Sequence, residues 1–343
     1  MLLLKTGDSF GKLTRRSDVR IWVDGKQSFR RLENLLRRAR FSIVIQMFIW
    51  KDDATGRRIA VLLADAADRG VQVDITKEAV GDVFEFHGDF LGTKHSTLSC
   101  WQRFWNHPRI RIRYGANNDH AKVYVIDEQV LLLTGMNIAD ESRYMWHDYL
   151  VELRGAHFVQ QFLERSTPAP DTSGVQLVMN TEDQKQIRPA LMTLLHSARE
   201  RIVVEHCYLS DPEVVGFLIS ASHKGIRVVV ILPKEVDFHH HANMLTVGKL
   251  MAEGKKSHLR LLVYPGMFHS KIILVDFQSA FLGSANLFKS SLDEMGEVNV
   301  LISGKRRALW KLRESLRHDI LLSRAIAGPR GLWMSRWLAW LGL

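Results

Sequence analysis

Two histidines, two lysines and two asparagines recur in this 343-residue chain at one fixed separation. His120, Lys122, Asp127 and Asn137 lie in HAKVYVIDEQVLLLTGMN, and His269, Lys271, Asp276 and Asn286 lie in HSKIILVDFQSAFLGSAN. The differences 269−120, 271−122, 276−127 and 286−137 are all 149, and Asp148 and Glu297 keep the same spacing. Five chemical positions in one register identify an internal duplication. On a β-strand, His269 and Lys271 project from one face, roughly 7 Å apart, and converge on one ligand. Asp276, seven residues after His269, falls on the opposite face, where it holds the fold together behind them. The next apolar run delivers Gly283, Ser284 and Asn286, small and polar groups that let an anion approach closely. Brought together about a pseudo-twofold axis, the copies set His120 against His269 across a phosphate-sized gap. Two cations and two amide donors surround that gap, which makes it an anion site.

Two copies of His-x-Lys followed by Asp, each leading into a Gly/Ser-x-Asn turn, resemble the paired signature of the phospholipase D superfamily. Within it, TGMNIADES (134–142) with HDY (147–149), and GSANLFKSS (283–291) with EVN (297–299), most resemble bacterial cardiolipin synthases. The likeness covers most of residues 30–303. It implies an α/β fold of two duplicated phospholipase D-like α/β/α sandwich domains related by a pseudo-twofold axis, with the active site at their interface. The site it implies comprises His120, Lys122, Asp127, Asn137, Asp148, His269, Lys271, Asp276, Asn286 and Glu297, with Gly135 and Ser284 beside the substrate. One imidazole attacks phosphorus, and the other protonates the departing alkoxide and then deprotonates the incoming alcohol or water. By analogy His120 is the nucleophile. The lysines and asparagines bind the nonbridging oxygens, and Asp148 and Glu297 are placed in register to orient His120 and His269. No metal and no cofactor is implied. Gly135 stands where the second copy has Ser284, so one hydroxyl is missing from the first half.

The implied reaction moves a phosphatidyl group between phospholipids, with phosphatidylglycerol as substrate and phosphatidylethanolamine as a second candidate. The same residues with water as acceptor would give phospholipase D hydrolysis. A metal-independent nuclease of the superfamily would also be basic, and phosphate contacts explain the charge equally well. An apolar Trp/Leu end argues against nucleic acid as the partner, and the intact residues in both halves argue against a scaffold with a decayed site.

The net charge of +10 calls for an anionic partner. Residues 304–343 hold nine basic side chains against Glu314 and Asp319, which supplies +7 of that charge. They read as a basic amphipathic tail whose end, GLWMSRWLAWLGL (331–343), spaces Trp333, Trp337 and Trp340 like an interfacial helix on an anionic membrane surface. No signal peptide and no membrane-length apolar run is evident. The expected location is therefore peripheral, on the cytoplasmic side of the cell membrane. Cys100 and Cys207 read as two ordinary buried thiols, without a disulfide or a thiolate metal site.

The elements that must carry these residues alternate. Helical spacing at 28–40 precedes an apolar strand at 41–50, then a helix at 56–69 and a strand at 71–76. The order repeats as helix 188–199, strand 201–209, helix 212–224 and strand 226–232, with Gly70 and Gly225 ending equivalent helices. A Pro/Gly/Ser-rich stretch at 165–176 separates domains at 1–166 and 175–303. The aromatic stretch 81–106 reads either as ordinary helix and core or as an apolar lip for acyl chains. His239, His240 and His241 are consecutive and cannot all face one ion on regular structure, so they read as a solvated loop near the substrate entrance.

Overall fold

A computed structural model describes residues 18–79, 81, 99–115, 118–167, 174–236, 239–304 and 307–326. Residues 331–343, and Phe84, Phe86 and Phe90 of the aromatic stretch, lie outside them. The first half runs β1 (Asp18–Val23), α1 (Gly25–Arg38), β2 (Ser42–Met47), α2 (Ala54–Asp68), β3 (Gln72–Glu78), α3 (Ser99–Trp105) and β4 (Ile110–Gly115). It continues through β5 (Lys122–Ile126), β6 (Val130–Thr134), α4 (Asp140–Tyr144), β7 (Tyr149–Arg154) and α5 (Ala156–Glu164). The second half runs β8 (Val175–Asn180), α6 (Ile187–His196), β9 (Arg201–His206), α7 (Pro212–His223), β10 (Arg227–Pro233), α8 (His240–Glu253) and β11 (Leu259–Tyr264). Then follow β12 (Lys271–Val275), β13 (Ser279–Gly283), α9 (Lys289–Asp293), β14 (Glu297–Ser303), α10 (Arg307–Leu322) and β15 (Arg324–Ala325).

Each half forms one mixed sheet, and the two sheets share a strand order. The first is β1-β7-β6-β5-β2-β3-β4, and the second is β8-β14-β13-β12-β9-β10-β11 with β15 added at its edge. In both, the β2–β3–β4 and β9–β10–β11 ladders are parallel, as helical crossovers require, and the remaining pairs are antiparallel. The strands bearing the repeated motifs, β5 and β12, are central and buried on both faces, which explains their unbroken apolar composition. Helices α2 and α7 start under side-chain caps from Asp53 and Asp211. They end before Gly70 and Gly225, whose φ values of 98° and 87° favour glycine.

One apolar cluster joins the inner faces of both sheets, from Val123, Leu133 and Val151 to Ile272, Leu282 and Val300. Two further clusters lie under the outer helices, one per half. This is the expected duplicated α/β sandwich. Two local expectations change. Of the segment read as a basic tail, α10 is built into the central core through Ala308, Leu309, Leu312 and Leu316, and Lys311 donates to the Ile21 carbonyl of β1 at 2.8 Å. The basic side chains outside that apolar stripe gave the segment the look of a solvated tail. The three histidines are not all in a loop: His239 has a left-handed φ of 55° and α8 begins at His240.

Candidate active site

The halves meet at the start of β5 and β12 through backbone pairs that repeat about the pseudo-twofold axis. His120 N–H donates to the Gly296 carbonyl at 2.8 Å, and His269 N–H donates to the His147 carbonyl at 2.9 Å. Both partners also obey the duplication, since 296−147 is 149. These bonds bring His120, Lys122 and Asn137 of one half to His269, Lys271 and Asn286 of the other, all of them buried.

The two acids cross over. Glu297 accepts from His120 Nδ1 at 3.0 Å, and Asp148 Oδ2 lies 3.4 Å from His269 Nδ1. Each histidine is therefore served by the carboxylate of the opposite half, an exchange that spacing along the chain does not reveal. The second acid is the better held. Ser284 and Ser291 both donate to Glu297, the latter at 2.6 Å. Burial would raise Glu297, but the charge and hydrogen bond of His120, with Lys122 and Ser284, hold its carboxyl below the ordinary value. On the first side no hydroxyl donates to the acid: Gly135 replaces Ser284, a Cβ there would sit 2.6 Å from Asp148 Oδ2, and Ser142, the counterpart of Ser291, makes no hydrogen bond to it. Burial pushes the Asp148 carboxyl up to about 7, against the pull of Lys271 and the Tyr149 N–H.

Burial, followed by nearby lysine charge, lowers both imidazoles from their ordinary value, His269 furthest. Both are neutral bases at pH 7 in the free site. Burial also brings Lys122 down to about 7. The lysines sit on unlike floors. Lys122 Nζ lies 4.9 Å from the centre of the Phe48 ring, which meets the His120 ring edge-on. Lys271 Nζ lies 3.3 Å from Cys207 Sγ and 3.1 Å from the His269 ring nitrogens. Cys207 also donates to Asn286 Oδ1 at 3.3 Å, so this thiol belongs to the wall of the site and is not an ordinary core residue. Asn137 Oδ1 is buried with no hydrogen-bond partner.

Asp127 and Asp276 complete the motif in sequence but stand apart from this constellation. Each follows the far end of its strand with a left-handed φ of 51°. Asp276 accepts from the backbone N–H groups of Arg199, Glu200 and Arg201, and Asp127 from those of Arg40, Phe41 and Ser42. They clamp the chain entering β9 and β2 against β12 and β5.

Sequence reading missed Phe48, Cys207, Ser291 and Trp146, whose ring packs 5.6 Å from that of His269. Phe48 and Cys207 are counterparts at a different spacing. The ladders Ile43↔Ile126 and Ile202↔Val275 show that β2 maps onto β9 with 202−43, or 159. Ten extra residues in the first half hide that correspondence from a search at 149.

Residues 32–166 and 191–320 match the family described as "Cardiolipin synthase, PLD-like domain". A cardiolipin synthase of Staphylococcus aureus is 26% identical over 368 aligned positions, covering 95% of this chain and 72% of that protein. Cardiolipin synthase A of Pseudomonas entomophila is 27% identical, covering 83% of this chain and 65% of that protein. The crystal structure of phosphatidylserine synthase from Haemophilus influenzae superposes with a TM-score of 0.73 at 14% identity, over 92% of this chain and 88% of that one. That last likeness is one of fold.

Proposed function

Because this chain belongs to the cardiolipin synthase, PLD-like domain family, we propose that it is a phosphatidyltransferase that moves a phosphatidyl group between phospholipids through a phosphohistidine. The observation that carries this reading is the crossed arrangement: two buried imidazoles, each facing the other half's carboxylate at 3.0 or 3.4 Å, beside two buried lysines.

Glu297 accepts a hydrogen bond from the Nδ1–H of His120, which leaves the Nε2 lone pair free for the substrate. His120 is therefore the nucleophile. Binding of the phosphodiester anion beside His269 favours its imidazolium, which takes a proton from solvent; Nε2 of His120 then forms a bond to phosphorus, the P–O bond to the leaving alcohol breaks, and His269 gives that proton to the departing alkoxide. His269, neutral again, accepts the hydroxyl proton of the second lipid, whose oxygen forms the new P–O bond as the P–N bond to His120 breaks. Lys122, Lys271, Asn137 and Asn286 hold the nonbridging oxygens through both displacements. No step requires a metal or an added cofactor. Asp148 keeps His269 in place, and Ser284 and Gly135 decide how firmly each acid is anchored.

Phosphatidylglycerol is the substrate favoured for the donor, with phosphatidylethanolamine tested as partner. The protein works peripherally at the cytoplasmic face of the cell membrane. Among the described residues no helix is long and apolar enough to cross a membrane, and Tyr144 and Met145 are exposed beside Trp146 on the His269 side of the site. Mass spectrometry of lipids after incubation of purified protein with vesicles of the two lipids tests the reading. Cardiolipin is the expected product. Phosphatidic acid alone would establish hydrolysis, and unchanged lipids would overturn the lipid reading in favour of nucleic acid phosphodiesters.

A further inference from the structure

Behind His269, on the far side of its backbone from the substrate gap, a second group of polar side chains converges. His147 Nε2 lies 3.6 Å from Glu205 Oε1 and 3.4 Å from Asp319 Oδ2. The three ligand-type atoms all fall within 4.8 Å of one another, and all three residues are buried. They come from the residues just before β7, where His147 bridges Phe268 of the other half, from β9 and from α10, so the cluster ties together three parts of the chain that are far apart in sequence.

Several features mark this as a built site and not an incidental ion pair. His147 Nδ1 bonds Asp24 Oδ1 at 2.5 Å, the carboxylate support that orients metal-binding imidazoles and turns the other nitrogen toward the ion. Glu205 is fully buried, and its Oε2 accepts no hydrogen bond from any N–H or hydroxyl. The Tyr149 hydroxyl completes the rim, 3.0 Å from His147 Nε2 and 3.2 Å from Asp319 Oδ2. Ser270 donates to Glu205 Oε1 at 2.8 Å and Ser315 lies 2.9 Å from the Tyr149 hydroxyl. Two buried carboxylates and the exposed one of Asp24 surround the single imidazole.

The duplication supplies an internal control. By the spacings established above, His147 maps onto Gly296 and Tyr149 onto Val298 at 149, while Glu205 maps onto Gln46 at 205−46, or 159. Ser270 maps onto Ala121 at 149. The equivalent place in the other half, lined by Gln46, Ala121, Gly296 and Val298, keeps the same fold without counterparts of His147 and Glu205, and its charged groups are instead Glu297 of the active site and an Asp119–Arg165 ion pair. The fold therefore forms in the other half without this histidine and this glutamate.

We infer that His147, Glu205 and Asp319 form a binding site for a divalent transition-metal ion, best suited to Zn²⁺, that pins α10 to the back of the active site. A tetrahedral ion about 2.1 Å from its ligands sets them about 3.4 Å apart, and the observed separations from His147 Nε2 are 3.4 and 3.6 Å. One nitrogen with carboxylate oxygens is a donor set zinc accepts. The ion is structural, lies outside the phosphate gap and takes no part in the transfer.

The test is the metal content of full-length protein expressed in zinc-supplemented medium and dialysed into metal-free buffer, measured by plasma mass spectrometry. Half an equivalent of zinc or more per chain is expected, falling below about a tenth in Asp319→Asn and in Glu205→Gln. Less zinc in the unaltered protein, or zinc that survives both substitutions, would overturn the site and leave a proton-sharing ion-pair network. Should either variant fail to fold, Asp24→Asn decides, since the Asp24 side chain is 53% exposed and its loss spares the core. Its zinc affinity in competition with a chelator should fall about ten- to a hundredfold, and an unchanged affinity would count against the inference.

Discussion

At the scale of single residues, the two imidazoles differ in how they are held, although the motifs that carry them are copies. His120 sits 3.0 Å from a carboxylate anchored by two serines, while His269 stands 3.4 Å from one that accepts from no hydroxyl, since Gly135 replaces one serine and Ser142 makes no bond to it. Replacing either histidine with alanine should lower turnover about a thousandfold or more while leaving the circular dichroism spectrum intact. Appreciable turnover in either variant would sink the shared site. Only the His120→Ala protein should fail to accumulate label from a ³²P-labelled donor when the reaction is quenched at alkaline pH. Lys122 gives the pH dependence. Its folded value is lowered by burial to about 7, so its cation is present below that pH and is lost as pH rises through it. Affinity for a phosphodiester inhibitor that stays monoanionic should therefore weaken above pH 7, by up to about tenfold per pH unit. Lys122→Met should bind weakly at every pH and show a flatter profile. A steep profile in that variant would assign the titration to another group.

At the scale of elements, the third member of each motif is a clamp. Asp276 gathers three consecutive backbone N–H groups that precede or open β9, with the chain turned sharply at its own left-handed φ. Removing that carboxylate frees three backbone donors, those of Arg199 and Glu200 exposed and that of Arg201 half-buried. Asp276→Ala should cost about 1–2 kcal/mol of stability in urea melts, with the rate per folded molecule changed no more than about threefold. A selective collapse of turnover without loss of stability would return Asp276 to the reaction. The alternation of residues on a strand already places this aspartate away from the His-Lys face, because period two separates positions an odd number apart. What alternation cannot supply is the partner, since Arg199–Arg201 lie about half a domain upstream in the chain and reach Asp276 only through the β9–β12 pairing. The same holds for Phe48 and Cys207, which arrive under the two lysines from strands whose register differs from that of the motifs.

At the scale of the whole molecule, α10 decides what can be removed. Gly155 and Gly304 precede α5 and α10, are 149 apart and both have positive φ, 143° and 90°. The helix read as a tail is thus the counterpart of α5 in the second copy, and that glycine pair was a signal available in the sequence. Truncation after Gly304 should give insoluble protein, because Leu309, Leu312 and Leu316 leave the core shared by the sheets. Truncation after Ile326 should give a folded protein that no longer sediments with anionic liposomes, if residues 331–343 anchor it; unchanged sedimentation would refute the anchor. The sequence by itself determined the duplication, the alternating α/β order and the identities of the paired histidines, lysines, asparagines and acids. Those are properties of spacing along one chain, and repetition at 149 makes them legible. Only the tertiary structure decided which acid serves which histidine, what lies under each lysine, and that His147, Glu205 and Asp319 meet. Those contacts depend on how two sheets close on each other about an axis, and proximity across that interface leaves no periodicity in the chain to read.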